Sequence, residues 1–136
     1  KGGRWCRHGD QGGSRMKTVL VVEDEPENRS TIAALLEIEG FVVFQAENGQ
    51  EAVKQAAEGL PDLILMDMRM PVMDGYAATQ AIKAESATNA IPIIALTGEA
   101  LDSQRTQAIE VGCDDFHPKP VDFDRLLRQI RSLLGL

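Results

Sequence analysis

The sequence alternates between short apolar runs and segments with the spacing of amphipathic helices. After residue 17 this alternation occurs five times. A continuous apolar run predicts a strand covered on both faces, and apolar residues three and four apart predict a helix packed on one side. Strands alternating with helices form a parallel sheet with right-handed crossovers and helices on both faces. We therefore predict a doubly wound α/β fold with five parallel strands and five helices.

The predicted strands can be read from the apolar runs, and they comprise residues 18–22, 41–46, 63–67, 91–96 and 115–117. Helices are predicted after each of them, at residues 26–39, 49–59, 76–85 and 101–110. The last helix is predicted from a strong amphipathic stripe after Pro120, formed by Leu126, Leu127, Ile130, Leu133 and Leu134. The helix at 101–110 is mostly polar, with Leu101, Ala108 and Ile109 as its expected anchors. We expect it to be the most loosely held of the five.

Length and charge limit the class of protein. A chain of 136 residues is long enough for one domain, and we assign it to residues 16–136. Residues 1–15 are rich in glycine and follow no regular period, so we interpret them as a flexible or expression-derived leader. Residues 16–136 carry ten basic and twenty acidic side chains, which argues against direct nucleic-acid binding.

Other features bear on location and on the cysteines. No stretch approaches the ~18 apolar residues of a membrane span, so we expect no membrane association and a cytoplasmic location. Cys6 and Cys113 lie far apart without metal-type spacing, which predicts free thiols and argues against a zinc site.

Polar side chains follow four of the predicted strands. The third strand ends on Asp67, the first is followed by Glu23 and Asp24, and the fourth and fifth by Thr97 and Lys119. Alone, an aspartate after a strand is more often a helix or turn cap, and a lysine is usually solvated. The carboxyl ends of parallel strands share one edge, however, and ligands bind there where the strand order reverses. We therefore expect these groups to line one crevice.

The chemistry of this set indicates phosphoryl transfer. Three carboxylates repel one another unless a cation joins them, and Mg²⁺ is the expected cation because it takes oxygen ligands. No other cofactor is predicted. Asp67 can act as a nucleophile and form an aspartyl phosphate, while Lys119 neutralises the phosphoryl oxygens and Thr97 donates a hydrogen bond to them.

Residues 17–135 resemble a response-regulator receiver domain of two-component signalling. The resemblance rests on the acidic pair Glu23-Asp24, on Asp67 within Asp-Met-Arg-Met-Pro-Val-Met-Asp-Gly, on Thr97 within Leu-Thr-Gly-Glu-Ala, and on Lys119 before a proline. It implies a flavodoxin-like sheet with strand order 2-1-3-4-5.

The resemblance also implies roles for individual residues. Asp67 is the expected phosphoacceptor, and Asp24 is the expected direct ligand of the metal. Glu23 is expected to act through water, and the Arg69 backbone carbonyl to complete the metal site. Thr97 and Lys119 are expected to bind the phosphoryl oxygens, with a cis peptide between Lys119 and Pro120.

The same resemblance predicts a switch. Phe116 occupies the aromatic position that rotates inward on activation. Because phenylalanine has no hydroxyl, we expect the change to be read by shape and apolar burial alone. Arg69 and Glu99 are expected to flank the path of the hydrolytic water and to modulate the lifetime of the phosphoryl group. His8 and His117 match no catalytic position, and we interpret them as surface residues.

The implied function is a signalling switch, not an enzyme acting on other substrates. It would catalyse only its own phosphorylation and slow autodephosphorylation. The expected partners are a histidine kinase or phosphotransfer protein and a downstream protein or output domain, with residues 101–134 as the face for partner or homodimer contacts. The sequence leaves open a stand-alone receiver, the receiver of a hybrid histidine kinase, and part of a longer regulator.

The sequence disfavours two other classes of protein. A flavodoxin-like flavin or nucleotide binder needs a loop after the first strand that cradles phosphate with N–H groups, whereas that loop here carries Glu23, Asp24 and Glu25. A haloacid-dehalogenase-type phosphatase places its nucleophile after the first strand, with a second aspartate two residues later. Asp67 ends the third strand instead and is followed by methionine and arginine.

Overall fold

A computed structural model describes residues 16–70, 72–98 and 102–136. The predicted leader 1–15, which contains Cys6 and His8, lies outside these residues. So do Glu99 and the expected helix anchor Leu101.

The strands and helices alternate as the sequence predicts. The strands are β1 Thr18–Val22, β2 Val42–Ala46, β3 Leu63–Asp67, β4 Ile93–Thr97 and β5 Asp115–Pro118. The helices are α1 Pro26–Ile38, α2 Gly49–Gly59, α3 Gly75–Ala84, α4 Asp102–Glu110 and α5 Phe123–Leu134. All strand pairs are parallel, and the sheet has the order β2-β1-β3-β4-β5. The predicted fold class and strand order are therefore confirmed.

Two apolar cores cover the two faces of the sheet. Successive strand residues point to opposite faces, so Leu20 and Ile64 enter one core while Val21 and Leu65 enter the other. The first core contains buried residues of α2, α3 and α4: Ala52, Ala56, Ala78, Ile82 and Ala108. The second contains buried residues of α1 and α5: Ile32, Leu36, Leu126, Leu127 and Ile130. Burial on both faces explains why the central strands are apolar throughout.

Two predicted strands begin too early. Phe41 is not part of β2, because its N–H donates to the carbonyl of Leu36 and ties it to the end of α1. Ile91 is not part of β4, because its N–H donates to the carbonyl of Thr88 in a turn. Both side chains are buried all the same, which is why their apolar character extended the predicted runs.

The prediction that Ile109 anchors α4 is wrong. Its side chain is 50% exposed, whereas Ala108 is fully buried. Adjacent residues lie about 100° apart around a helix, so only one of the two can face the sheet. The half-buried Val111, just beyond the helix, packs against the core instead.

Several helix ends are fixed by capping groups. The side chains of Asn48, Asp74 and Asp122 accept backbone N–H groups at the starts of α2, α3 and α5. Gly135 ends α5 in the left-handed conformation that glycine adopts without strain. None of the helices in the described residues is long and apolar enough to span a bilayer.

Candidate functional site

Three acidic side chains meet where β1 and β3 end. Carboxylate oxygens of Glu23, Asp24 and Asp67 all lie within 4.8 Å of one another. Glu23 and Asp67 are buried, and Asp24 is exposed. Carboxylates this close ionise together only when a cation offsets their repulsion, and an all-oxygen set suits a hard divalent cation. The arrangement therefore fits the predicted Mg²⁺ site.

The Lys119 ammonium lies against two of these acids. Its Nζ is 3.1 Å from Glu23 Oε1 and 3.2 Å from Asp67 Oδ2. The Glu23 contact lacks hydrogen-bond geometry, so Oε1 has no hydrogen-bond donor among the described residues. Burial lowers the pKa of Lys119, but the neighbouring carboxylates outweigh burial and raise it overall. Lys119 therefore stays protonated beside Asp67.

The backbone around Lys119 is also fixed. The Lys119 N–H donates to the carbonyl of Thr97 at 2.7 Å, which joins the ends of β4 and β5. The peptide between Lys119 and Pro120 is cis, as the resemblance implied. The hydrogen bond to Thr97 holds the Lys119 backbone at the carboxyl edge of the sheet.

The pKa of Asp67 is raised from 3.8 to about 7. Burial is the largest cause, and the Glu23 carboxylate acts in the same direction. The Arg69 N–H, which donates to Asp67 Oδ1 at 3.1 Å, and the Lys119 ammonium oppose the shift. A cation at these oxygens would favour the ionised, nucleophilic form of Asp67.

Thr97 lies at the same edge, at the last position of β4. Its side chain is buried, and its Oγ1 has no hydrogen-bond partner among the described residues. A buried hydroxyl without a partner is costly and is free to donate to an acceptor that enters the site. The predicted groups Glu23, Asp24, Asp67, Thr97 and Lys119 are therefore all found at the carboxyl ends of the strands.

Arg69 lies beside this edge with an exposed side chain. A Cβ placed on Gly98 would lie 3.9 Å from its Cζ, so the guanidinium lies next to the residue that follows β4. Its expected counterpart Glu99 is outside the described residues. The metal-binding role of the Arg69 carbonyl and the lifetime role of its side chain remain predictions.

Phe116 has a charged neighbour that the sequence did not reveal. The half-buried ring packs against the core that contains Ala108, and Arg105 of α4 places its Cζ 4.8 Å from the ring centroid. This is cation–π distance. The expectation that Phe116 is read by shape and burial alone was therefore incomplete, because an electrostatic contact also ties it to α4. The spacing of the two residues gives no sequence signal for this pair.

The interpretation of His117 as a surface residue is wrong. Only 1% of its surface is exposed, and both ring nitrogens are hydrogen-bonded. Phe116 faces the α4 side of the sheet, so the next residue along β5 faces the α5 side. Strand alternation could have placed His117 on this side of the sheet, but its burial depends on the packing of α5.

A cavity of about 550 Å³ opens beside the site. Glu23 and Lys119 lie on its wall. Apolar residues from α1, from the segment before α5 and from the first residue of α5 form much of the rest: Ile32, Leu35, Val121 and Phe123. The cavity therefore adjoins the acidic edge through Glu23 and Lys119.

Comparisons with known proteins agree with this geometry. Residues 19–131 match the response regulator receiver domain. The chain is 35% identical over 120 residues to the protein PilH of Pseudomonas aeruginosa, covering 88% of this chain and 99% of PilH. It is 37% identical over 126 residues to the sensor protein GacS of Pseudomonas syringae, covering 90% of this chain and 14% of GacS.

A solved structure is also similar. The receiver domain of the sensor histidine kinase PA1611 from Pseudomonas aeruginosa has a TM-score of 0.83 and 38% sequence identity, with 90% of this chain and all of that chain covered. That domain has a magnesium ion coordinated in its active-site cleft. On the match over residues 19–131 and these relatives, the chain belongs to the response regulator receiver domain family and is a phosphoacceptor switch of two-component signalling.

Proposed function

We propose that Asp67 is the phosphoacceptor and that it takes its phosphoryl group from a histidine kinase or a phosphotransfer protein. The observation that carries this assignment is the surroundings of Asp67: a buried carboxylate 3.2 Å from the Lys119 ammonium and within 4.8 Å of two other carboxylates. A purely structural aspartate would not need two acids and a lysine at the same edge.

The proposed reaction forms one bond and breaks one. An Asp67 carboxylate oxygen attacks phosphorus, an O–P bond forms, and the P–N bond of the donor phosphohistidine breaks. The imidazole nitrogen keeps the electron pair and takes a proton. Lys119 offsets charge on the phosphoryl oxygens, and the Thr97 hydroxyl, which has no partner among the described residues, donates to one of them.

Glu23, Asp24 and Asp67 are the proposed holders of Mg²⁺, with the Arg69 carbonyl as a further ligand. We assign direct contact to Asp24 and a water-mediated contact to Glu23. Both assignments follow the resemblance to the family, and the Lys119 ammonium lies at similar distances from Glu23 and Asp67, 3.1 and 3.2 Å. When bound, the ion neutralises charge on the carboxylates and the phosphoryl oxygens.

As a switch, the domain catalyses its own phosphorylation and slow autodephosphorylation, with Arg69 and Glu99 modulating the second reaction. The cavity beside Glu23 and Lys119 is the proposed approach of the phosphodonor. Residues 101–134 are the proposed face for a downstream partner, an output domain or a second copy of the chain. We propose residues 16–136 as the receiver domain, and the cytoplasmic location remains a prediction.

The test is phosphorylation by acetyl phosphate with and without Mg²⁺, followed by intact mass spectrometry. We expect the parent protein to gain one phosphoryl group only with Mg²⁺, and Asp67→Asn to gain none. Asp74→Asn is a matched control, since asparagine also caps a helix. Full labelling of Asp67→Asn would refute the assignment.

A further inference from the structure

The turn that carries Lys119 is closed by a buried histidine. His117 Nε2 accepts the N–H of Asp122 at 3.0 Å, so the first and last residues of the segment 117–122 are bonded to each other. Lys119 lies inside this segment, and Asp122 is the N-cap of α5. The side chain of His117 therefore fixes where the lysine leaves β5 and where the next helix begins.

A glutamine of α5 holds this histidine in turn. Gln129 Oε1 lies 2.7 Å from His117 Nδ1, and Gln129 Nε2 donates to Asp115 Oδ2 and to the Phe116 carbonyl, both at 2.9 Å. Because its amide hydrogens are used by these two acceptors, Gln129 can only accept from His117. Gln129 thus links the His117 ring to two other residues of β5.

These partners allow only one form of the ring. Nδ1 must carry the hydrogen that it donates to Gln129, and Nε2 must be bare to accept from Asp122. An aliphatic side chain would fill the same space but would leave the Asp122 N–H and the Gln129 carbonyl oxygen unpaired. This supports a role for the ring beyond filling the core.

We propose that His117 and Gln129 are positioning residues that hold the Lys119 ammonium at the phosphoryl site. The inference rests on the proposed function, because Lys119 is given its role there. A lysine side chain has four rotatable bonds, so the place of its ammonium depends on how firmly its backbone is held. Near the reacting groups, a displacement of about 1 Å can cost roughly a hundredfold in rate.

The tautomer can be measured without any assay of activity. In a long-range ¹H–¹⁵N spectrum of the parent protein, we expect His117 to show a protonated Nδ1 and a bare Nε2. A ring protonated at Nε2, or one averaging between both tautomers, would overturn the proposal, because the tie to Asp122 would then be absent.

The second test compares the rate of phosphorylation by acetyl phosphate with the affinity for Mg²⁺. For His117→Leu and Gln129→Leu we expect the rate to fall about tenfold, since a looser lysine is placed correctly less often. Mg²⁺ affinity should be unchanged or higher, because the ammonium that competes for Glu23 and Asp67 is held less firmly. His117→Gln should recover much of the rate, since its amide supplies an oxygen that can accept from the Asp122 N–H and an NH₂ group that can donate to Gln129.

Two controls separate positioning from loss of stability. Thr88→Val removes a buried hydrogen bond far from this turn, from Thr88 Oγ1 to the Ile82 carbonyl, and should leave the phosphorylation rate unchanged. In a Lys119→Ala background, His117→Leu should slow the reaction no further, because the lysine through which it acts is gone.

Two results would overturn the proposal while leaving the proposed function intact. One is a parent-like phosphorylation rate in His117→Leu, and the other is an equal loss of rate from His117→Leu in the parent and in the Lys119→Ala background. A parent protein that is not phosphorylated at Asp67 would overturn both.

Discussion

The two helices beside β5 are held by very different amounts of apolar contact. Helix α5 buries Leu126, Leu127 and Ile130 and is capped at both ends. Among the described side chains of α4, only Ala108 is buried, and Ile109 is half exposed. Burying a leucine or isoleucine contributes ~1.5–3 kcal/mol, against ~0.8 kcal/mol for a single methylene-sized group.

This difference predicts that α4, on one side of β5, is more flexible than α5 on the other side. Neighbouring residues of β5 face the two helices: Phe116 meets Arg105 of α4, and His117 is locked to Gln129 of α5. A change at Asp67 that reaches β5 should therefore move α4 more readily than α5. Our central claim is that α5 holds Lys119 in place, while α4 is the helix that moves when Asp67 is phosphorylated.

The largest expected effect concerns stability. Leu126→Ala in α5 should lower the free energy of unfolding by about 2–5 kcal/mol, because it leaves a cavity in the core. Ala108→Gly in α4 should lower it by about 1 kcal/mol, mainly through helix propensity. Urea denaturation of both variants measures the difference. Equal losses would contradict the contrast between the two helices.

A second prediction concerns the contribution of Asp67 to the free energy of unfolding at different pH values. Without metal, folded Asp67 binds its proton more tightly than the unfolded chain does, since its pKa is raised from 3.8 to about 7. The folded state then holds more protons across this window, so the contribution of Asp67 to stability is full below about pH 4 and falls as the pH rises towards about 7.

Urea denaturation in a chelating buffer across this pH range measures that contribution. Asp67→Asn should remove the Asp67-dependent part of the slope, and millimolar Mg²⁺ should restore stability to the parent at pH 7. A parent protein with the same pH slope as Asp67→Asn would argue against a raised pKa.

A third prediction concerns Arg69, which follows β3, and Glu99, which follows β4. Arg69 lies beside Gly98, so its removal should open the approach of water to the phosphoryl group. Arg69→Ala should speed autodephosphorylation several-fold with little change in stability, since a barrier change of ~1.4 kcal/mol alters a rate tenfold. Glu99→Ala should also speed autodephosphorylation, and the double variant should show less than the sum of the two separate effects. Loss of label at fixed Mg²⁺ measures both, and a parent-like lifetime in Arg69→Ala would contradict the prediction.

The smallest expected effect concerns the contact between Arg105 and Phe116. If Arg105 holds the ring in its half-exposed position, Arg105→Gln should favour the phosphorylated conformation. Cation–π contacts at such sites contribute ~0.5–1 kcal/mol, so affinity for beryllofluoride, a phosphoryl mimic, should rise roughly two- to fivefold. Arg128→Gln, an exposed arginine on α5, is the matched control. Unchanged or weaker binding of beryllofluoride by Arg105→Gln would show that the contact between Arg105 and Phe116 does not oppose the phosphorylated conformation.

The contrast between these helices also shows how far the sequence could be read. The mostly polar residues 101–110 predicted a loosely held helix, and the apolar spacing of residues 126–134 predicted a strongly amphipathic one. Strand ends, glycines and the spacing of polar groups likewise placed the acids, Thr97 and Lys119 at one edge. These features are local, so sequence patterns record them.

Contacts between distant elements were harder to predict. The assignment of Ile109 as an anchor failed because a two-residue apolar pair does not show which member faces the sheet. The pairing of Arg105 with Phe116, and of His117 with Gln129, depends on how α4 and α5 lie against β5. Such pairs are set by packing, and a single sequence carries little record of them.

Hydrogen exchange with and without beryllofluoride and Mg²⁺ tests the central claim most directly. We predict altered exchange in α4 and in residues 111–118, and much smaller changes in α5. Among the described side chains, α4 buries only Ala108, whereas α5 buries Leu126, Leu127 and Ile130. Changes confined to the surroundings of Asp67, with α4 and β5 untouched, or changes as large in α5 as in α4, would contradict the account.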